Sequence, residues 1–153
     1  MPNMPQPITI RAVARGDFQQ WLPLWEGYNR FYGRPVFPLE ITKTTWSRFF
    51  DSGEPVHALV AEKDDRLLGL AHYLFHRSTI HSDLICYLQD LFTDESVRGQ
   101  GIGRALIEGI YERARLASSP RVYWQTHESN ATAMKLYDKL AERSGFVVYR
   151  KQL

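Results

Sequence analysis

The chain has 153 residues, 19 basic and 17 acidic side chains, a net charge of +2 and 44% hydrophobic residues, which predicts one globular domain over 1–153 with room for a substantial core. Its charge is spread without a basic block and no apolar run is long enough for a bilayer, so neither nucleic acid nor membrane is expected as a partner. The proline-rich start, Met1 to Pro7, lacks the basic and apolar regions of a signal peptide, and a single cysteine, Cys86, leaves no internal disulfide, so a cytoplasmic location is expected.

Ile8, Ile10 and Ala12 or Val13 alternate with polar residues and predict a first strand. Gly16-Asp17 offers a cap for a helix from Phe18 to about Tyr32, with Pro23 inside it and Gly33 and Pro35 after it. Thr42 to Phe50 is a second short helix. Three of the four tryptophans lie before position 50. They either pack two helices on a sheet or, with Tyr28, Tyr32, Phe37 and the later Trp124, wall a substrate site. His57 to Glu62 and Arg66 to Phe75 form a hairpin across Asp64-Asp65.

Ser82 to Thr93 is the next strand. Gly101 to about Ala117 places Ile102, Ala105, Leu106, Gly109, Ile110 and Ala114 on one helical face, with Glu108, Glu112, Arg113 and Arg115 toward water. Val122 to Thr126 is a short strand, and Ser129 or Asn130 caps a helix to about Arg143 with a stripe of Ala133, Leu136, Tyr137, Leu140 and Ala141. Gly145 closes that helix and Phe146 to Lys151 returns as a final strand. The order predicts an α/β domain with a mixed sheet covered by helices.

The informative stretch is Tyr87 to Leu106, where an apolar strand feeds a polar turn, then Arg98-Gly99-Gln100-Gly101-Ile102-Gly103-Arg104, then a helix. The first turn of a helix has unpaired N–H groups and a partial positive charge, which suit a phosphate. Glycines at 99, 101 and 103 keep Cβ atoms out of the way, and Arg98 and Arg104 add charge at the rim. A pyrophosphate fits this layout. The glycines run G-x-G-x-G, so the dinucleotide fingerprint G-x-G-x-x-G fails, and the Gly-Lys-Ser/Thr of a P-loop is absent.

These residues resemble the Q/R-x-x-G-x-G/A signature of the GNAT superfamily of acetyl-CoA-dependent N-acetyltransferases. Tyr87-Leu88-Gln89-Asp90-Leu91-Phe92 stands at the expected distance upstream, and Asn130-x-x-Ala133-x-x-Leu136-Tyr137 with Gly145-Phe146 downstream. The chain looks most like the diamine, thialysine, small histone and D-amino-acid acetyltransferases. The resemblance implies a mostly antiparallel sheet whose fourth and fifth strands, here Ser82 to Thr93 and Val122 to Thr126, splay to hold acetyl-CoA, with the fourth bulged near Asp90. It implies cofactor contacts from Leu91, Phe92 and Thr93, from Arg98 through Gly103 with Arg104, and from Asn130, Ala133 and Tyr137.

Acetyl transfer to an amine needs a bound thioester, a neutral amine, stabilisation of the oxyanion and a proton for the departing thiolate. Tyr137 matches the family's tyrosine and is the candidate acid. The diamine branch carries Glu-Asp where this chain has Gln89-Asp90, and Gln89 cannot accept a proton. Asp90, His127 or Glu128 acting through water, or an acceptor that arrives neutral, would have to serve instead. Glu26 and Glu40 are candidates for pairing with a substrate ammonium. Cys86 sits in an apolar run with no adjacent His or Lys to activate it. His72 and His76 share a strand face but lie about 13 Å apart at roughly 3.3 Å per residue, too far for one zinc, so no metal is expected.

The expected function is transfer of acetyl from acetyl-CoA to a primary amine of a small molecule, a polyamine, a lysine-like or another amino acid. Protein lysine or N-terminal acetylation and a non-catalytic CoA sensor are the alternatives, and the family's habit implies a homodimer.

Overall fold

The computed structural model describes residues 7–153, so that of the proline-rich start only Pro7 falls within the described residues. Five strands lie side by side in sequence order: β1 (Thr9–Ala12), β2 (Val56–Lys63), β3 (Arg66–His76), β4 (Ile85–Thr93) and β5 (Val122–Tyr123). The first four are antiparallel, and β5 joins β4 in parallel. Helices α1 (Phe18–Phe31) and α2 (Leu39–Arg48) precede β2, α3 (Ile102–Leu116) links β4 to β5, and α4 (Ala131–Leu140) follows β5.

Both faces of the sheet are covered, which is why the central strands read as unbroken apolar runs. Trp21, Leu24 and Tyr28 of α1 pack with Val60, Leu67, Leu70 and Phe92 on one face, joined by Trp46 and Phe49. On the other face Ile102, Leu106, Ile107 and Ile110 of α3 pack on Leu59, Ala61, Ala71 and Leu88. Each such Leu or Ile, fully buried, contributes about 1.5–3 kcal/mol of transfer free energy. Gly109 lets α3 approach β1, for a Cβ there would stand 2.7 Å from Ile10 Cγ2. Arg11 ties β1 to β2 and to the entrance of α1, reaching Asp17 at 2.7 Å and Glu62 at 2.6 Å.

Several boundaries differ from those predicted. Asp17 makes no side-chain cap to α1; its carboxylate turns back to the Ala14 N–H at 2.7 Å and to Arg11. The second helix begins at Leu39 and ends at Arg48, because Pro38 supplies the extended entry and its carbonyl accepts from Ile41. β4 starts at Ile85, β5 stops at Tyr123, and α4 ends at Leu140 rather than near Arg143.

The predicted final strand, Phe146 to Lys151, does not form. Phe146, Val147, Val148 and Tyr149 are 91, 75, 67 and 94% exposed. A run of aromatic and β-branched residues expresses a tendency to extend, whereas a strand also needs a partner edge, and β5 is paired over only two residues.

Candidate active site

Two local features open the sheet at one place. The register between β3 and β4 shifts after His72↔Asp90 so that Tyr73 faces Leu88, leaving Gln89 as the extra residue of a bulge. Gln89 is thereby exposed while Asp90 is only 8% exposed. On the other side of β4 the parallel pairing with β5 covers Cys86↔Val122 and Tyr87↔Tyr123 and then stops. From Leu88 to Thr93 the edge of β4 facing β5 runs on alone, and Trp124 and Gln125 diverge from it. The splay implied by the resemblance is thus present, between β4 and the chain after Tyr123.

A small pocket lies at the mouth of the splay. Tyr28 and Tyr32 come from the end of α1, Leu88, Gln89 and Leu91 from β4, Trp124 and Gln125 from beyond β5, and Tyr137 from α4. Trp124 meets the Tyr137 ring edge-on at 5.5 Å. Burial pushes the Tyr137 phenol up to about 12, with the nearby Tyr32 adding to the effect. Tyr137 therefore holds its proton across the neutral range. Burial, and then the negative charge of Asp90, raises the Tyr28 phenol further still.

Asp90 is tied from behind. His72 Nδ1 lies 2.9 Å from Asp90 Oδ2, and the Trp21 indole N–H donates to His72 Nε2 at 3.0 Å. Sequence reading weighed His72 only as a metal ligand and missed Trp21. The available signal was a histidine inside the apolar run Leu67 to Tyr73, since a buried polar ring demands partners. His76 is engaged elsewhere, with Tyr123 Oη at 2.8 Å.

The loop before α3 has the form expected of a cradle. Gly99 and Gly101 adopt φ of +81° and +82°, a left-handed conformation that disfavours any side chain, and a Cβ on either would project into open space. The first α-helical hydrogen bond of α3 runs from Ala105 N to Gly101 O, so the amides of Ile102, Gly103 and Arg104 precede the ladder. Gly103 differs from its neighbours, for a Cβ there would make ordinary contacts with Leu136 Cδ2 at 3.6 Å and Thr93 Oγ1 at 3.9 Å.

The charged rim is less free than its sequence suggests. Arg104 Nε pairs with Glu108 at 3.2 Å, and Arg98 lies over Phe31 and Phe92 at 5.4 and 5.7 Å. Gln100 is exposed. Asn130 begins α4 without a side-chain cap, its amide directed to Thr126 Oγ1 at 3.4 Å, and Ala133 lies one turn along the helix, partly buried. Open main-chain donors, space that a Cβ would fill and an unpaired strand edge together fit a pyrophosphate carried on an extended arm.

A GNAT acetyltransferase family model matches residues 21–141. The chain belongs to the GNAT family of acetyltransferases. The D-amino-acid N-acetyltransferase HPA3 of Saccharomyces cerevisiae is 36% identical over 147 residues, covering 94% of this chain and 90% of the relative. The mycothiol acetyltransferase of Thermomonospora curvata is 33% identical over 96% of this chain, which corresponds to 46% of that protein. Among solved structures, the aminoglycoside N-acetyltransferase AAC(6')-Iy in complex with CoA superposes with a TM-score of 0.84 at 15% identity, over 99% of both chains, a likeness of fold. The protein is an acetyl-CoA-dependent N-acetyltransferase.

The remaining predicted residues divide. Phe37 packs on Trp25 at 6.4 Å, behind Tyr28. Glu26 and Glu40 are exposed and do not line the pocket, and His127 and Glu128 are exposed as well. Cys86 is fully buried, with its thiol pushed up to about 12 by burial, so it is a poor nucleophile. No helix among the described residues is long and apolar enough to cross a membrane.

Proposed function

We propose that this acetyltransferase acts on the α-amine of a small amino acid, in the cytoplasm. The observation that carries the reading is Arg34. Its guanidinium lies over the rings of Tyr28 and Tyr32 at 5.4 and 5.2 Å, both of them pocket residues, and Nη1 donates to Asn29 Oδ1 at 3.1 Å. Asn29 is itself buried and anchored to Trp25 O at 2.9 Å. None of the ion pairs among the described residues involves Arg34. An arginine so held presents a planar donor set to a carboxylate at the pocket rim. A polyamine would call for acidic residues instead, and no carboxylate lines the pocket directly. The name of the yeast relative supports the same substrate class.

Acetyl-CoA supplies an activated acetyl thioester. The amides of Ile102, Gly103 and Arg104 would hold its pyrophosphate, the free edge of β4 at Leu91 to Thr93 its arm, and Asn130 and Ala133 its far side. Asp90 attracts the incoming ammonium and takes its proton through the Tyr28 hydroxyl. Tyr137 Oη donates to the departing sulfur as charge builds there. Gln89 borders the pocket without moving a proton.

The test is thiol release from acetyl-CoA with D- and L-amino acids, their decarboxylated amines, spermidine, and peptides offering a lysine or a free N-terminus. Amino acids should exceed the matching amines, and Arg34→Gln should erase that preference. Spermidine or a peptide as the best acceptor, or no turnover with any amino acid, would overturn the reading.

We also propose a homodimer, in which the exposed apolar segment Phe146–Tyr149 of each copy is covered by the other beside the short β5. Light scattering should report a dimer that becomes a monomer when residues 146–153 are removed; a monomeric full chain would rule it out.

A further inference from the structure

We infer that Trp21 and His72 are positioning residues that keep Asp90 available as an uncompensated negative charge. The inference rests on the proposed role of Asp90 and adds the device that holds it. Three buried polar side chains form one line: Trp21 is 0%, His72 3% and Asp90 8% exposed. They come from α1, β3 and β4 and meet only because the β4 bulge sets His72 opposite Asp90.

The proton positions follow from chemistry. An indole N–H can only donate, so His72 Nε2, 3.0 Å from Trp21 Nε1, must accept and carries no proton. The ring proton is then on Nδ1 and is donated to Asp90 Oδ2 at 2.9 Å. Both nitrogens are thus committed in the neutral ring, and a second proton on Nε2 would face an N–H. The other rings on His72, Trp25 at 5.2 Å and Phe49 at 4.8 Å, are uncharged.

The consequence lies in the charge of the site. An imidazolium at His72 would neutralise Asp90 and leave nothing to attract the substrate's ammonium. With the Trp21 indole in place, Asp90 receives an oriented hydrogen bond from a neutral ring, and the phenols of Tyr28, Tyr32 and Tyr87 lie near it, with Arg34 at the rim. Trp25 provides an internal comparison. It stacks on Trp21 at 5.8 Å, yet its own indole N–H is buried without a partner among the described residues.

The experiment is nitrogen-resolved NMR of the histidine rings, together with pH profiles for Trp21→Phe, Trp25→Phe, His72→Asn and His72→Gln. In the wild type, the neutral His72 ring should carry its proton on Nδ1 and none on Nε2. Trp21→Phe frees Nε2, so the ring proton is no longer held on Nδ1 and the Nε2–H tautomer should appear, leaving Asp90 without its donor. The KM for the amine should then rise about tenfold, the worth of one charge-assisted hydrogen bond, while the KM for acetyl-CoA stays put.

Trp25→Phe removes an equal ring without changing the tautomer. His72→Asn keeps a donor near the Nδ1 position and should exceed His72→Gln, which does not, by about tenfold in kcat/KM for the amine. An Nε2–H tautomer in the wild type, or equal Asn and Gln variants, would each overturn the inference. Should Trp21→Phe fail to fold, the wild-type tautomer and the Asn and Gln pair decide it. Asp90→Asn separates the two layers: full activity there would remove the proposed base itself, whereas a severe loss beside a wrong His72 tautomer would remove only the positioning device.

Discussion

On the proposed function, the protein would face its two substrates across β4 with different materials. Toward the cofactor it would present main chain: the amides of Ile102 to Arg104, and two glycines in a left-handed conformation whose Cβ positions are empty space. Toward the acceptor it would present side chains drawn from separate elements, Tyr28, Asp90 with His72 behind it, Trp124 and Tyr137. The cofactor side should therefore fail when backbone is disturbed and tolerate the loss of side chains. The acceptor side should fail on the loss of single atoms.

The largest effect is expected from Tyr137→Phe, which removes one oxygen and keeps the ring against Trp124. Turnover should fall about 10²-fold, with acetyl-CoA affinity little changed. Because burial lifts the phenol to about 12, it stays protonated as pH rises through the working range, and the wild-type profile should show no falling limb below about pH 11. Pre-steady-state turnover as a function of pH checks both points. Near-normal chemistry in the variant would make Tyr137 a packing residue and leave the sulfur to solvent.

The same contrast decides how much was legible beforehand. The cradle is a local object, written in consecutive letters from Arg98 to Arg104, and the structure places the α3 face where the periodicity puts it and the β4 bulge where only the family resemblance implied it. The Trp21, His72 and Asp90 line is not local: its members are separated by 51 and 18 positions and are joined by a register shift that no periodicity reveals. Arg34, just past the end of α1, gives no signal until Tyr28 and Tyr32 are seen beneath it. The final strand was over-read for the converse reason, since Phe146 to Lys151 has the pattern of a strand and lacks an edge to pair with.

An intermediate effect is expected from paired glycine changes. Gly101→Ala forces a side chain into φ near +82°, at a cost of about 1 kcal/mol in stability, and sets a methyl in the cradle. Acetyl-CoA affinity should fall about tenfold, one charge-assisted hydrogen bond's worth. Gly103→Ala meets only ordinary contacts at 3.6 and 3.9 Å and should leave both quantities close to wild type. Calorimetry and thermal melts on the two variants distinguish them. Equal losses would show that the amides, and not the empty Cβ positions, set the shape of the loop.

The smallest effect is expected from Arg104→Ala. Its guanidinium is half exposed and already pairs with Glu108 at 3.2 Å, so a phosphate would gain only a partly compensated, solvent-screened charge. Alanine is also the better helix former at that position, which offsets the lost pair. Acetyl-CoA should bind about two- to threefold more weakly, and its affinity should depend less steeply on salt than the wild type's. Titrations at low and high ionic strength measure the difference. A loss larger than that of Gly101→Ala would reverse the division between the two sides, because the cofactor would then be held by a side chain after all.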